Sequence, residues 1–148
     1  MHEFDIVIEG AGLEFHKEYF PEHPVHIKGD RNKLKQVISN LLDNAIKYTP
    51  EGSVTIGLLA SGETVTFQIT DTGIGIDKDT KDFLFDKFSR AENAKHVNII
   101  GTGLGLFLAR EIITAHEGAI WVESEGEGKG SSFIIKLPIE HGNETKGE

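Results

Sequence analysis

Residues 30 to 50 read DRNKLKQVISNLLDNAIKYTP, and their interpretation decides the rest. Leu34, Val37, Ile38, Leu41, Leu42, Ala45 and Ile46 recur at the spacing of one helical face, Asp30 stands where an N-cap belongs, and Pro50 and Gly52 stop the pattern. Immediately after it, SVTIGLLA (53 to 60) and TVTFQITD (64 to 71) alternate β-branched and polar residues about a turn at Ser61-Gly62, as an antiparallel hairpin does. A long amphipathic helix followed by a hairpin predicts an α+β fold, with helices on one face of a mixed, mostly antiparallel sheet.

Working outward, LEFHKEY (13 to 19) and VHIK (25 to 28) are short β-compatible pieces around a turn region at Pro21 and Pro24. The first dozen residues show no helix. On the other side, Asp77 or Asp79 can cap a short helix running through Phe83, Leu84 and Phe88, after which SRAENAKHVN lacks periodicity, so 89 to 100 reads as a mobile loop. Leu106, Leu108, Ala109, Ile112 and Ile113 predict a second long helix ending near Gly118. AIWVESE (119 to 125) and SSFIIKLP (131 to 138) predict a further hairpin across GEGKG, and the polar residues 139 to 148 a frayed tail.

The 148 residues suffice for one domain spanning 1 to 148 with its own core, and no supersecondary repeat is visible. The absence of cysteine excludes disulfides and thiolate metal sites, and no zinc-ligand spacing occurs among the seven histidines. A formal net charge of -9 repels phosphate backbones and anionic lipid, so nucleic acid and membrane surfaces are poor partners. The start, MHEFDIVIEG, is acidic and unlike a signal peptide, and no run of eighteen apolar residues exists; the expected location is cytoplasmic.

Three stretches carry candidate chemistry. On the first helix, Asn40, Asn44 and Lys47 fall within roughly 60° of one another, just outside the apolar arc. That edge is either a solvated face or a place where an amide oxygen ligates Mg²⁺ and a lysine meets a phosphate. DTGIGID (71 to 77) leaves a strand end. It is either a plain turn or a site where the Asp71 carboxylate accepts from an amine on a ligand while Gly73 and Gly75 let that ligand approach. GTGLGL (101 to 106) opens a helix, whose unsatisfied amides favour phosphate; it is neither a Walker A loop nor a dinucleotide fingerprint.

Taken in order, NLLDNAIKYT, DTGIGI, FDKFSR and GTGLGL closely resemble the N, G1, F and G2 boxes of the ATP-binding catalytic domain of sensor histidine kinases, in the GHKL superfamily with gyrase B and heat-shock chaperone ATPases. The resemblance covers about residues 30 to 138. It implies a two-layer α/β sandwich of the GHKL (Bergerat) type, with ATP and Mg²⁺ as ligands. By matching position, Asn44 resembles the metal ligand, Asn40 lies beside the phosphates, Lys47 resembles a phosphate-contacting lysine and Tyr48 the aromatic near adenine. Asp71 resembles the acceptor of the adenine amine, with Gly73, Gly75 and Ile76 in the pocket wall. Phe85 and Phe88 match the F box as hydrophobic anchors. Arg90 either reaches the phosphates or is simply exposed. Gly101, Thr102, Gly103, Leu104, Gly105 and Leu106 match the phosphate side, and 91 to 100 the lid over the nucleotide.

In ATP-hydrolysing members of the superfamily a glutamate one turn before the metal-binding asparagine activates water. Here that place is Asn40, and an amide is no general base at neutral pH. The resemblance is therefore to the kinase branch, which transfers the γ-phosphoryl group to a histidine; a GHKL-type ATPase and a non-catalytic nucleotide-binding module are the alternatives. Neither His2-Glu3 nor His116-Glu117 continues as a phosphoacceptor motif, and His116 reads as a helix C-terminal residue facing the dipole. The acceptor histidine and base are expected on a separate dimerisation/phosphoacceptor domain absent from this chain, with a response regulator downstream. The full-length kinase is expected to be a homodimer, with or without a membrane anchor, and the isolated domain a monomer.

Overall fold

The computed structural model describes residues 6, 8–18, 20–82, 84–86 and 105–140. Its elements run β1 (Glu14–Glu18), α1 (Arg31–Lys47), β2 (Ser53–Ser61), β3 (Thr64–Asp71), α2 (Lys78–Asp82), α3 (Gly105–Ala115), β4 (Ala119–Glu123) and β5 (Ser131–Pro138). The five strands form one sheet in the order β1-β2-β3-β5-β4, parallel between β1 and β2 and antiparallel elsewhere. This is the expected mixed α+β arrangement.

One row of side chains shows how the layers close. Ile56, Ile69, Phe133 and Val122 are successive cross-strand partners on β2, β3, β5 and β4, and all four are buried. Period-two alternation puts them on the face that receives Val37, Leu41, Leu42 and Ala45 of α1 and Ala109 and Ile113 of α3. The other face is largely polar; there Thr70 and Ser132, also cross-strand partners, share a hydroxyl hydrogen bond of 2.8 Å. The helix α1 begins where its sequence requires, since the Asp30 carboxylate accepts from the Lys33 amide at 3.1 Å.

Three expectations are corrected. VHIK joins no strand ladder; Val25 and Ile27 are half-buried and line a cavity of about 230 Å³ between α1 and the sheet. Alternation fits an extended connection as well as a strand, and here the edge of β2 is already taken by β1. The first dozen residues do contain helical backbone, at Ile6 and 8–10, closed by the Ala11 and Gly12 amides donating to the Ile8 and Glu9 carbonyls. Phe4, Ile6 and Ile8 recur every second residue, which masks a helix. The helix α2 spans only five residues and does not extend through Leu84. Asp77 caps it, accepting from the Thr80 amide at 2.7 Å, and Leu84 and Phe85 are both buried in the turn beyond. The second long helix, α3, does end near Gly118 as expected: Glu117 closes it in the left-handed region at φ 64°, with the Gly118 amide donating to the Ile113 carbonyl at 2.9 Å.

Phe83, Phe88, Arg90, the proposed lid at 91–100, Gly101, Thr102, Gly103, Leu104 and the tail from 141 lie outside the described residues. Among the described residues no helix is long and apolar enough to cross a membrane.

Candidate functional site

Asp71 ends β3 opposite Ser131, the first residue of β5. Its side chain is almost fully buried, at 3% exposure. One carboxylate oxygen, Oδ1, accepts from the Gly73 amide at 2.9 Å and the Ser131 amide at 3.2 Å, and Oδ2 accepts from the Ser131 hydroxyl at 3.0 Å. Burial pushes the Asp71 carboxyl above its ordinary range, and these hydrogen bonds only partly counter it. A carboxylate offers about four lone-pair sites, so Oδ2 retains one for a further donor. The Thr49 hydroxyl lies toward the same carboxylate without completing a hydrogen bond, and its Oγ1 is buried with no partner among the described residues.

The polar edge of α1 faces the start of α3. Asn40 and Asn44 are half-buried one turn apart, Lys47 is exposed in the last turn, and Tyr48 is the C-cap, its amide donating to the Asn44 carbonyl at 2.9 Å. The Asn40 amide nitrogen donates to the carbonyl of Gly105, the first residue of α3, at 3.3 Å. At the opposite ends of the same pair of helices, His116 Nε2 accepts from the Asp30 amide at 2.9 Å while Nδ1 lies 2.7 Å from the Ile112 carbonyl. The imidazole therefore sits as the neutral tautomer with Nδ1–H donating, a link between helices and not a cation on the dipole of α3.

Gly73 and Gly75 sit against the fold's own backbone. A Cβ on Gly73 would overlap the Tyr48 carbonyl oxygen and the Thr49 hydroxyl, and one on Gly75, at φ +76°, would overlap the Gly126 carbonyl oxygen. The fold's own neighbours therefore require a bare backbone at both positions. Ile74 completes the packing by donating its amide to the Tyr48 carbonyl at 2.9 Å, which ties the end of α1 to this loop. Ile76 is buried in the core, Leu106 is half-buried against it, and Gly105 is exposed at the tip of α3. Phe85 packs edge-to-face on Phe133 with ring centroids 6.2 Å apart.

The site thus unites Asp71, Gly73, Gly75, Tyr48, Asn40, Asn44 and Gly105 from three regions of the chain, and adds Ser131 and Thr49. Ser131 was invisible in the sequence because its tie to Asp71 depends on strand register across sixty residues. Thr49 directly follows the helix motif, and position alone was its only signal. No group of three or more acidic or histidine side chains is placed to hold a metal among the described residues, so a cation here would rest on amide oxygen and ligand phosphates.

Comparison with known proteins places this geometry. The family model described as histidine kinase-, DNA gyrase B-, and HSP90-like ATPase matches residues 29–141. Sensor histidine kinase WalK of Bacillus subtilis is 36% identical over 137 residues, which is 88% of this chain and 22% of WalK. The adaptive-response sensory kinase SasA of Synechocystis is 43% identical over 121 residues, 80% of this chain and 31% of SasA. The chain therefore spans less than a third of the length of these relatives. Among solved structures, the nucleotide-free catalytic domain of histidine kinase ThkA superposes with a TM-score of 0.77 at 29% identity, covering 93% of this chain and 90% of that one. Full-length ShkA in complex with AMPPNP superposes at 0.78 with 27% identity, over 93% of this chain and 28% of ShkA.

Proposed function

This chain belongs to the histidine kinase-, DNA gyrase B- and HSP90-like ATPases, and from that premise we propose that it binds Mg²⁺-ATP and presents the γ-phosphoryl group to a histidine on a separate dimerisation/phosphoacceptor domain, from which a response regulator is phosphorylated. The observation that carries the reading is the Asp71 carboxylate, buried, oriented by three hydrogen bonds and left with one acceptor site. That site suits the exocyclic amine of adenine. Asn44 would supply an oxygen to Mg²⁺, Lys47 a charge to a phosphate oxygen, and Tyr48 an aromatic edge beside the base. The backbone at Gly105, and the preceding residues 101–104, would meet the phosphates at the helix N-terminus. Mg²⁺, when bound, neutralises charge on the phosphates during transfer.

Asn40 favours transfer over hydrolysis. Its amide nitrogen is engaged as a donor to the Gly105 carbonyl, so this position holds α3 in place and offers no base to activate water. The test is calorimetric titration of the protein with Mg²⁺-ATP, followed by phosphate release alone and by phosphotransfer to a supplied acceptor domain. Tight binding, negligible release and transfer in trans are expected. Rapid release without an acceptor would point to an ATPase, and no binding to an interaction module.

A further inference from the structure

We propose that Ser124 is a positioning residue for the nucleotide base, fastening the loop after β3 to the connection between β4 and β5 and so fixing the wall of the adenine site. The inference rests on the ATP reading above. The two loops meet backbone to backbone: the Gly128 amide donates to the Ile74 carbonyl at 2.6 Å, and the Gly130 amide to the Gly73 carbonyl at 3.1 Å. Between them stands one side chain. The Ser124 hydroxyl oxygen accepts from the Ile76 amide at 3.1 Å and from the Gly126 amide at 3.2 Å, and its proton goes to the Gly130 carbonyl at 2.7 Å, with the Gly126 carbonyl more distant at 3.4 Å.

Two acceptor sites and one proton are what a hydroxyl has, and here all are used. Alanine would leave two amides and a carbonyl without this partner in a half-buried junction, whereas threonine keeps the hydroxyl. The junction matters to the base because both its sides lead to Asp71. Gly73 donates to Asp71 Oδ1, and Ser131, which follows Gly130 directly, binds both carboxylate oxygens. Releasing Ser124 loosens Gly130 and Ile76 together, and with them the frame that aims the free lone pair of Asp71. The phosphate end, at Gly105 and Asn40, shares none of these bonds.

The experiment compares Ser124→Ala and Ser124→Thr with the unaltered protein. ADP, ATP and inorganic tripolyphosphate are titrated in the presence of Mg²⁺, and hydrogen exchange of the Ile76 amide is followed without ligand. Ser124→Ala is expected to weaken ADP and ATP about tenfold, to leave tripolyphosphate within twofold, and to speed Ile76 exchange at least tenfold; Ser124→Thr is expected to restore all three. Wild-type-like ADP binding by Ser124→Ala, an equal loss for tripolyphosphate, or unchanged Ile76 exchange would each overturn the assignment. If the alanine variant does not fold, Ser124→Cys, similar in size with a poor acceptor, is judged by the same criteria. Failure of the unaltered protein to bind ADP or ATP would instead remove the nucleotide reading itself.

Discussion

Asp71 and Ser131 are direct cross-strand partners, and the serine meets the carboxylate twice, through its amide at 3.2 Å and its hydroxyl at 3.0 Å. The pairing holds a charge that the fold would otherwise expel. Because burial raises the folded pKa of Asp71 above 3.8, its contribution to stability is complete below that value and is lost as pH rises through the folded one. At neutral pH the buried charge is therefore a liability for the empty protein. Asp71→Asn keeps an oxygen for the Gly73 and Ser131 amides, and the Ser131 hydroxyl can turn to accept from the new amide. The urea midpoint of the variant at pH 7 should equal or exceed that of the parent, while adenine-nucleotide affinity falls by about 1–3 kcal/mol. A variant that loses stability and affinity together would contradict this division.

The same shift gives binding a pH dependence. If Asp71 receives the adenine amine as proposed, its protonation would put a donor where an acceptor is needed. ADP affinity should fall as pH is lowered through the raised pKa of Asp71, and in Asp71→Asn the corresponding slope should disappear. Titrations at several pH values, with tripolyphosphate as the control for phosphate protonation, would check it.

Gly75→Ala should destabilise the empty protein by about 2 kcal/mol or more, since the new Cβ meets the Gly126 carbonyl at a positive φ. If these glycines served only to admit a ligand, the substitution would leave the unliganded denaturation curve where it was. Chemical denaturation without nucleotide separates the two accounts.

Glu117→Gly should act in the opposite direction. Glu117 closes α3 in the left-handed region at φ 64°, where a side chain costs about 1 kcal/mol that glycine does not incur. A rise in the unfolding free energy of about that size is expected, with nucleotide affinity unchanged. The neighbouring Gly118 offers no such gain, because a Cβ there would press on the Lys136 carbonyl.

His116→Ala removes the acceptor for the Asp30 amide and should cost about 1–2 kcal/mol in a denaturant titration. An unaltered midpoint would show that water replaces the imidazole at no cost.

The parts of this molecule that were legible in the sequence are those settled by local geometry. Leu34 through Ile46 declare a helix, Asp30 its start, and helical spacing alone places Asn40, Asn44 and Lys47 on one edge. The hairpin of β2 and β3 follows from alternation. What could not be read depends on where distant backbone passes. Nothing near Gly73 in the chain announces that the Tyr48 carbonyl will lie against it, and nothing near Ser131 announces Asp71. The end of α3 near Gly118 was legible, but not that Glu117 takes the left-handed turn while Gly118 lies against the Lys136 carbonyl of β5.

Asn40 to Gly105 and Asp30 to His116 join two antiparallel helices at both ends of their overlap, which measures roughly 15 Å at 1.5 Å per residue. Pinned in this way, α3 has no freedom to slide along α1. A ligand that displaces Gly105 must stretch the longer pin, the 3.3 Å contact to Asn40, and swing the helix as a lever about His116. Over that arm an ångström at the tip amounts to a tilt of only about 4°. The fulcrum lies beside the turn into β4, so the sheet can stay still while the opening turn of α3 tilts.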